Sequence, residues 1–234
     1  MPLSADAVAS PAVFALAEIL TSAATQLHAV EGHPSTLLAA VELAREIVPG
    51  AEYAGITVVE RGLPARPVAW TDDIVRRACA PDEQGPDPRT YWDTLWDAPL
   101  VRTDETADGD GRGVFLGVHG LRSAISLRLR ADQRKLSVLS LYARTTGAFG
   151  DADVRIGRLL AAHISIALET ATEREQLTEA MRTRDVIGQA TGLLMGRLDM
   201  DASEAFNRLV RTSQQENVKL RDIAQRIVDA VTPD

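Results

Sequence analysis

The spacing of apolar residues along the chain changes from helical to alternating and then back to helical. Helical spacing predicts two amphipathic helices over residues 13–30 and 35–48, separated by a Gly-His-Pro break, with Ser35 placed to cap the second. A further short helix is predicted over residues 72–80. Short β-branched or alternating runs predict strands over residues 53–59, 67–70, 101–102, 123–130 and 135–143.

From residue 151 onward the helical spacing returns, and it predicts one long helix over residues 151–187. Its apolar seam is weakly coiled-coil-like, because small alanines and one arginine interrupt it. The seam comprises Leu160, Ile164, Ala167, Ala171, Arg174, Leu177 and Met181. Since a long single helix cannot bury its own seam, we expect a homodimer through this helix.

The C-terminal 60 residues are predicted to form three helices, the first of them in the stretch DVIGQATGLLMGRL. Asp201 and Glu204 have the spacing of a capping box at the start of the next helix. The apolar face of that helix comprises Ala202, Ala205, Phe206, Leu209, Val210 and Ser213. The last helix carries its stripe at Leu220, Ile223, Ala224, Ile227, Val228 and Val231.

Residues 81–113 are rich in proline, aspartate and glycine and are predicted to form a long loop with aromatic anchors. Such a loop often covers a binding site. Trp92 and Trp96, four residues apart, are therefore candidates for lining a ligand cleft. The alternative is that they anchor this loop in the core, as large aromatic side chains usually do.

The composition of the chain indicates a globular protein. Of the 234 residues, 45% are hydrophobic and 4% aromatic, which is typical of a globular protein with an aliphatic core. No apolar run approaches a membrane span, and residues 1–10 lack the basic segment of a secretory signal. Cys79 is the single cysteine and cannot form an internal disulfide, so we expect a cytoplasmic protein without a membrane partner.

The net charge of −8 is unevenly distributed. Residues 1–173 contain 16 basic and 23 acidic residues, which argues against nucleic acid as a partner of this part. Residues 174–234 contain 9 basic and 10 acidic residues, so bulk charge by itself does not indicate a nucleic-acid surface there. The four histidines lack metal-ligand spacing, and no catalytic constellation is present. We therefore expect no metal, no cofactor and no enzymatic activity.

The N-terminal pattern resembles a GAF domain, a small-molecule sensor fold in which an antiparallel sheet lies between helices. The stretch SAISLRLRADQRKLSVLSLYARTTGAFGDADVRIGRLLAAHISIAL and the flanking helices carry the resemblance, which covers residues 12–172 after a flexible tail at residues 1–11. The resemblance implies an unidentified small-molecule ligand.

The stretch MRTRDVIGQATGLLMGRLDMDASEAFNRLVRTSQQENVKLRDIAQRIV resembles an ANTAR domain, the three-helix RNA-binding module of transcription antitermination regulators, here residues 173–234. The resemblance implies a dimer that binds paired hairpins in nascent RNA. The family commonly has lysine where this chain has Thr191, which removes one candidate phosphate contact. Together the two resemblances predict an α+β chain with a sensor, a long linking helix and a three-helix output domain.

The expected RNA-binding residues lie on and around the glycine-containing stretch. They are Arg184, Gln189, Thr191, Gly192, Met195, Arg208, Arg211, Asn217, Lys219 and Arg221. Arg208 and Arg211 share a helix face, which favours a joint phosphate contact. In a helix interior Gly188 and Gly192 each cost about 1 kcal/mol relative to alanine. Two explanations stay open: close packing of another helix, preferred for Gly188, or close approach of RNA, preferred for Gly192.

A second hypothesis is a dimeric ligand- or protein-binding signalling module without RNA binding. Thr191 and the nearly neutral charge of the C-terminal part motivate it.

Overall fold

The computed structural model describes residues 11–79, 89–104, 116–117 and 119–231. Contacts divide the chain into two compact units between Thr172 and Glu173. Most of the tail predicted at residues 1–11, and parts of the loop predicted at residues 81–113, lie outside the described residues.

The elements of the N-terminal unit follow the predicted order. They are α1 (Pro11–Ala29), α2 (His33–Ile47), β1 (Tyr53–Glu60), β2 (Arg66–Trp70), α3 (Asp73–Cys79), α4 (Arg89–Asp97), β3 (Leu100–Asp104), β4 (Ser123–Ala131), β5 (Lys135–Ala143) and the first part of α5 (Asp151–Leu198).

Two local predictions in this unit are wrong. Gly32, not Ser35, is the N-cap of α2, and Pro34 occupies the first turn, where its missing N–H costs nothing. The hydroxyl of Thr36 donates to the carbonyl of Gly32 at 3.0 Å and ties this start together. The segment predicted as a long loop contains the helix α4, because its apolar residues Trp92 and Leu95 are buried in the core. The strand predicted at residues 101–102 is present as β3.

The five strands form one antiparallel sheet in the order β2-β1-β5-β4-β3. The central strands are buried on both faces, which explains their nearly continuous apolar or small residues. One face packs against α1, α2 and the first part of α5, and the other packs against α3 and α4. The turn between β4 and β5 is closed by the Asp132 carboxylate. This carboxylate accepts hydrogen bonds from the backbone N–H groups of Arg134 and Lys135, and these hydrogen bonds lower the pKa of Asp132.

The predicted seam of α5 is divided rather than continuous. Leu160 and Ile164 are fully buried in the N-terminal core. Gly157 lets the helix lie close to β4, since an added Cβ would lie 3.2 Å from Leu127 Cδ1. In contrast, Leu177 is 64% exposed and Met181 60% exposed. Only the second part of the seam is thus left for a partner helix.

The C-terminal unit contains the rest of α5 with α6 (Ala202–Glu216) and α7 (Leu220–Asp229). The prediction of a helix end at residue 187 is wrong, because α5 continues through both glycines to Leu198. Asp201 and Glu204 form the predicted capping box of α6. The small core is built from Ala190, Leu209, Ile223 and Ala224, with partly buried aliphatic neighbours.

We expect Gly55→Ala to destabilise the sheet, because the added Cβ would lie 2.5 Å from Val75 Cγ1 and 3.3 Å from the carbonyl oxygen of Ala69. Overpacking of this kind costs about 1–3 kcal/mol of unfolding free energy, measured by urea denaturation. Gly150→Ala is the matched control, since its nearest neighbour, Asp153 Oδ2, would lie 3.7 Å away. Equal stability of the two variants would contradict the packing of α3 on β1.

Candidate functional site

Gly188, Gly192 and Gly196 of α5 lie on the side of the helix that faces solvent. Ala190 is fully buried in the C-terminal core, whereas Gly188 and Gly192 are exposed. A Cβ added at Gly188, Gly192 or Gly196 would meet nothing within 4 Å in the described part of the chain. Close packing inside the chain is therefore the wrong explanation for Gly188. The three glycines instead form a bare, exposed face at four-residue intervals.

The polar neighbours of these glycines do not form a single strip. Gln189 and Thr191 are two residues apart, so they point to opposite sides of α5. Gln189 is exposed, whereas Thr191 is half-buried and its hydroxyl donates to the carbonyl of Ile187 at 2.7 Å. Met195, 37% exposed, lies one turn beyond Thr191 on the same side. Gln189 and Thr191 therefore do not share one continuous surface, and contact of either residue with RNA stays a prediction.

Arg208 and Arg211 line one surface depression on α6, together with Met200, Glu204, Thr212 and Gln215. Arg211 Nε donates to the carbonyl of Asn207 at 3.4 Å, which holds that side chain along the helix. Within the described residues neither guanidinium has a carboxylate partner. Both cations are therefore available to an anionic ligand.

A second surface collects Arg184, Lys219 and Arg221 around a groove that also contains Phe206. Arg221 forms ion pairs with Glu179 and with Asp222, so its charge is balanced within the chain. Lys219 is the N-cap residue of α7, and no side chain caps that helix.

Phe206 is exposed although it belongs to the predicted apolar face of α6. It is 43% exposed, while Ala205 and Leu209 on the same face are buried. Helix geometry predicts this exposure, because Phe206 lies about 100° from Ala205 and about 60° from Leu209, at the edge of the apolar face.

Asn217 has a conformational role in ending α6. Its φ of 53° is left-handed, which asparagine tolerates better than most residues, and its backbone N–H donates to the carbonyl of Ser213. The hydroxyl of Ser213 in turn donates to the carbonyl of Val218 at 2.6 Å. Contact between Asn217 and RNA stays a prediction.

The two tryptophans of α4 occupy different environments. Trp92 is 1% exposed in the core between the sheet and the helices α3 and α4. Trp96 is half-buried, and the guanidinium of Arg61 stacks 4.4 Å from its ring centroid. Arg128 donates to the carbonyl of Trp96 at 2.8 Å and so caps the end of α4. These contacts agree with the anchoring alternative, and a ligand role for either residue stays a prediction.

Buried hydroxyl groups line the sheet face that packs against α3 and α4. The side-chain oxygens of Ser126 and Ser140 are 2.7 Å apart, within hydrogen-bonding distance. The hydroxyls of Thr57 and Thr103 are buried without a hydrogen-bond partner among the described residues. Burial of an unpaired hydroxyl is costly, so a polar partner for either oxygen would stabilise this face of the sheet.

Among the described residues, no group of three histidine, cysteine or carboxylate side chains is placed to hold a metal ion. No helix in that part of the chain has an apolar run long enough to cross a membrane.

Comparison with known families assigns both units. Residues 33–169, more than half of the chain, match the GAF domain. The chain belongs to the GAF domain family. Residues 175–228 match the ANTAR domain, so the GAF domain is followed by an ANTAR domain, as predicted. No curated protein shows a significant match to the chain.

Solved phytochrome structures share the fold. The bacteriophytochrome RpBphP3 from R. palustris aligns with TM-score 0.59 and 14% identity, over 84% of this chain and 46% of that one. The Stigmatella aurantiaca phytochrome photosensory core module aligns with TM-score 0.57 and 13% identity, over 84% and 44%. The phycoerythrobilin-bound GAF domain from a cyanobacterial phytochrome aligns with TM-score 0.53 and 8% identity, over 68% and 97%. The chain spans less than half the length of the first two, and identities this low show the fold alone.

We expect Gly188→Ala, Gly192→Ala and Gly196→Ala each to raise the stability of the ANTAR domain by up to about 1 kcal/mol, because the added Cβ meets no neighbour and alanine favours helix. Urea denaturation of dilute protein measures this. Gly192→Ala should also weaken RNA binding, whereas Gly196→Ala, outside the predicted RNA surface, is the control that should not. A loss of stability in all three variants would contradict the exposed placement of these glycines.

Proposed function

We propose that this chain is a cytoplasmic, non-enzymatic RNA-binding regulator of transcription antitermination. In this proposal the GAF domain senses a small molecule and controls a dimeric ANTAR domain, which binds paired hairpins in nascent RNA. The observation that supports RNA binding best is the distribution of charge over the ANTAR domain.

The nearly neutral charge of the C-terminal part conceals two surfaces on which cations outnumber carboxylates. Several of its carboxylates are engaged within the chain: Glu179 and Asp222 pair with Arg221, Glu216 pairs with Arg226, and Glu204 completes a capping box. Arg184, Arg208, Arg211 and Lys219 are exposed and have no carboxylate partner among the described residues. Solvent-facing cations of this kind can bind the phosphates of RNA, and phosphate contacts dominate the affinity of protein–nucleic acid complexes.

Dimerisation through α5 is supported by its exposed apolar face. Leu177 and Met181 are largely exposed, and Gly188 lies further along the same helix without a side chain. A second copy of the helix would cover this face, and Gly188 would permit close approach of the two backbones. Such an interface repeats the same patch on both copies, and a symmetric dimer then presents two equal RNA surfaces to two similar hairpins.

A polar small molecule in the GAF domain is supported by the unpaired hydroxyls of Thr57 and Thr103. Thr57 lies on β1 and Thr103 lies on β3. Both are on the sheet face that packs against α3 and α4, where Trp92 is also buried. Trp96, at the end of α4, stays the second candidate for a ligand contact.

We expect Arg208→Ala combined with Arg211→Ala to weaken binding of a two-hairpin RNA, because two phosphate contacts are lost. The slope of log affinity against log salt concentration should become shallower by about 1.5 to 2, measured by electrophoretic mobility shift. Arg226→Ala is the matched control, because that guanidinium is already paired with Glu216 at 2.8 Å. An unchanged slope in the double variant would exclude this surface from the RNA interface.

We expect Leu177→Glu combined with Met181→Glu to produce a monomer, because four carboxylates would meet in the helix interface. Light scattering gives the molecular mass. Leu63→Glu is the control, since Leu63 is 56% exposed in the turn between β1 and β2 and lies outside the helix. A wild-type protein that is monomeric at every concentration would rule out the proposed dimer.

The second candidate function is a dimeric ligand- or protein-binding signalling module without RNA binding. Thr191 favours it, because this residue replaces the lysine common in the family and its hydroxyl is engaged with the carbonyl of Ile187. The mobility-shift measurement with two-hairpin RNA separates the two functions.

A further inference from the structure

The ANTAR domain contains a surface groove of about 980 Å³ between α5, α6 and the start of α7. Its volume lies in the range of pockets that hold small organic molecules, about 300–1,000 Å³. Ala180, Ile187, Phe206 and Leu220 contribute apolar surface to it. The groove lies apart from the depression of Arg208 and Arg211, because Phe206 and Arg208 point to opposite sides of α6.

Phe206 is exposed although α6 has other residues to fill its core. Ala205 and Leu209 are buried beneath it, while the aromatic ring keeps 43% of its surface in solvent at the groove. An exposed aromatic ring beside aliphatic side chains is a suitable platform for a planar ring. Proteins that bind unpaired bases use aromatic side chains in this way.

The charges around the groove favour a phosphate-bearing ligand. Of the two carboxylates that line it, Glu179 is paired with Arg221 and Glu175 also has an interaction partner. Arg184 and Lys219 have no carboxylate partner among the described residues. The side chains that line the groove carry three positive charges and two negative ones, so the local charge beside the aromatic ring is positive.

We propose that the groove binds an unpaired RNA base, which stacks on Phe206 while Arg184 and Lys219 contact the adjoining phosphates. This inference rests on the proposed RNA-binding function and adds a base-binding site to it. A nucleotide would contact both parts of the groove, because its base would stack on the aromatic ring and its phosphate would bind the unpaired cations. An apolar helix of a protein partner would bury the ring and leave the two cations uncompensated.

The test begins with RNA selected by the wild-type, full-length protein from two-hairpin transcripts with randomised loops. A fluorescent adenine analogue is then placed at each loop position in turn. We expect its fluorescence to be quenched at one position on binding. Phe206→Leu should abolish that quenching and weaken binding about 5- to 100-fold, the loss typical of one stacked base. Phe206→Tyr, which keeps the aromatic ring, should retain both.

Leu198→Ala is the control, since Leu198 is 46% exposed and does not line the groove. Thermal unfolding of each variant verifies that the domain is folded. Unchanged affinity and quenching in Phe206→Leu would overturn the inference and leave the proposed function intact. Selection of no RNA by the wild-type protein would overturn both. A change of molecular mass in Phe206→Leu with unaltered RNA affinity would show that the groove binds a second copy of the chain.

Discussion

The structure depends on the burial of one helix, α5, in two separate hydrophobic cores. Leu160 and Ile164 complete the core on one face of the GAF sheet, and Ala190 belongs to the core of the ANTAR domain. Between them, Leu177 and Met181 remain exposed. The helix therefore belongs to the cores of both the GAF domain and the ANTAR domain, and it carries an exposed apolar face between them. This helix runs over 48 residues, from Asp151 to Leu198.

The electrostatics of the ANTAR domain are decided by local pairing rather than by the total charge. A nearly equal number of acidic and basic residues would not by itself attract RNA. The structure pairs several acids with Arg221 and Arg226, and it places cations without an ion-pair partner on two surfaces, one beside Phe206 and the other around Arg208. The proposed RNA contacts are therefore divided between these two surfaces.

The sequence predicts the fold well where a periodic pattern meets a conventional break. The strands at residues 53–59 and 135–143 and the capping box at Asp201 were all found, because alternation and caps are local signals. The sequence-based prediction is wrong where tertiary contacts determine the local structure. Gly32 caps α2 in place of Ser35, and α4 forms inside a segment rich in proline and glycine because Trp92 and Leu95 have a core to fill. The two glycines did not end α5, since packing of Val186, Ala190 and Leu194 offsets their helix penalty.

The sequence by itself determined the order of two domains, the α+β class and the set of candidate RNA residues, because periodicity, caps and family motifs are properties of the linear chain. Only the tertiary structure decided which candidates share a surface. It placed Gln189 and Thr191 on different sides of α5, neutralised Arg221, gave Asn217 a role in ending α6, and exposed Phe206. The physical reason is that exposure and charge pairing depend on which elements pack together. One residue of rotation, about 100° on a helix, separates a core position from a binding surface.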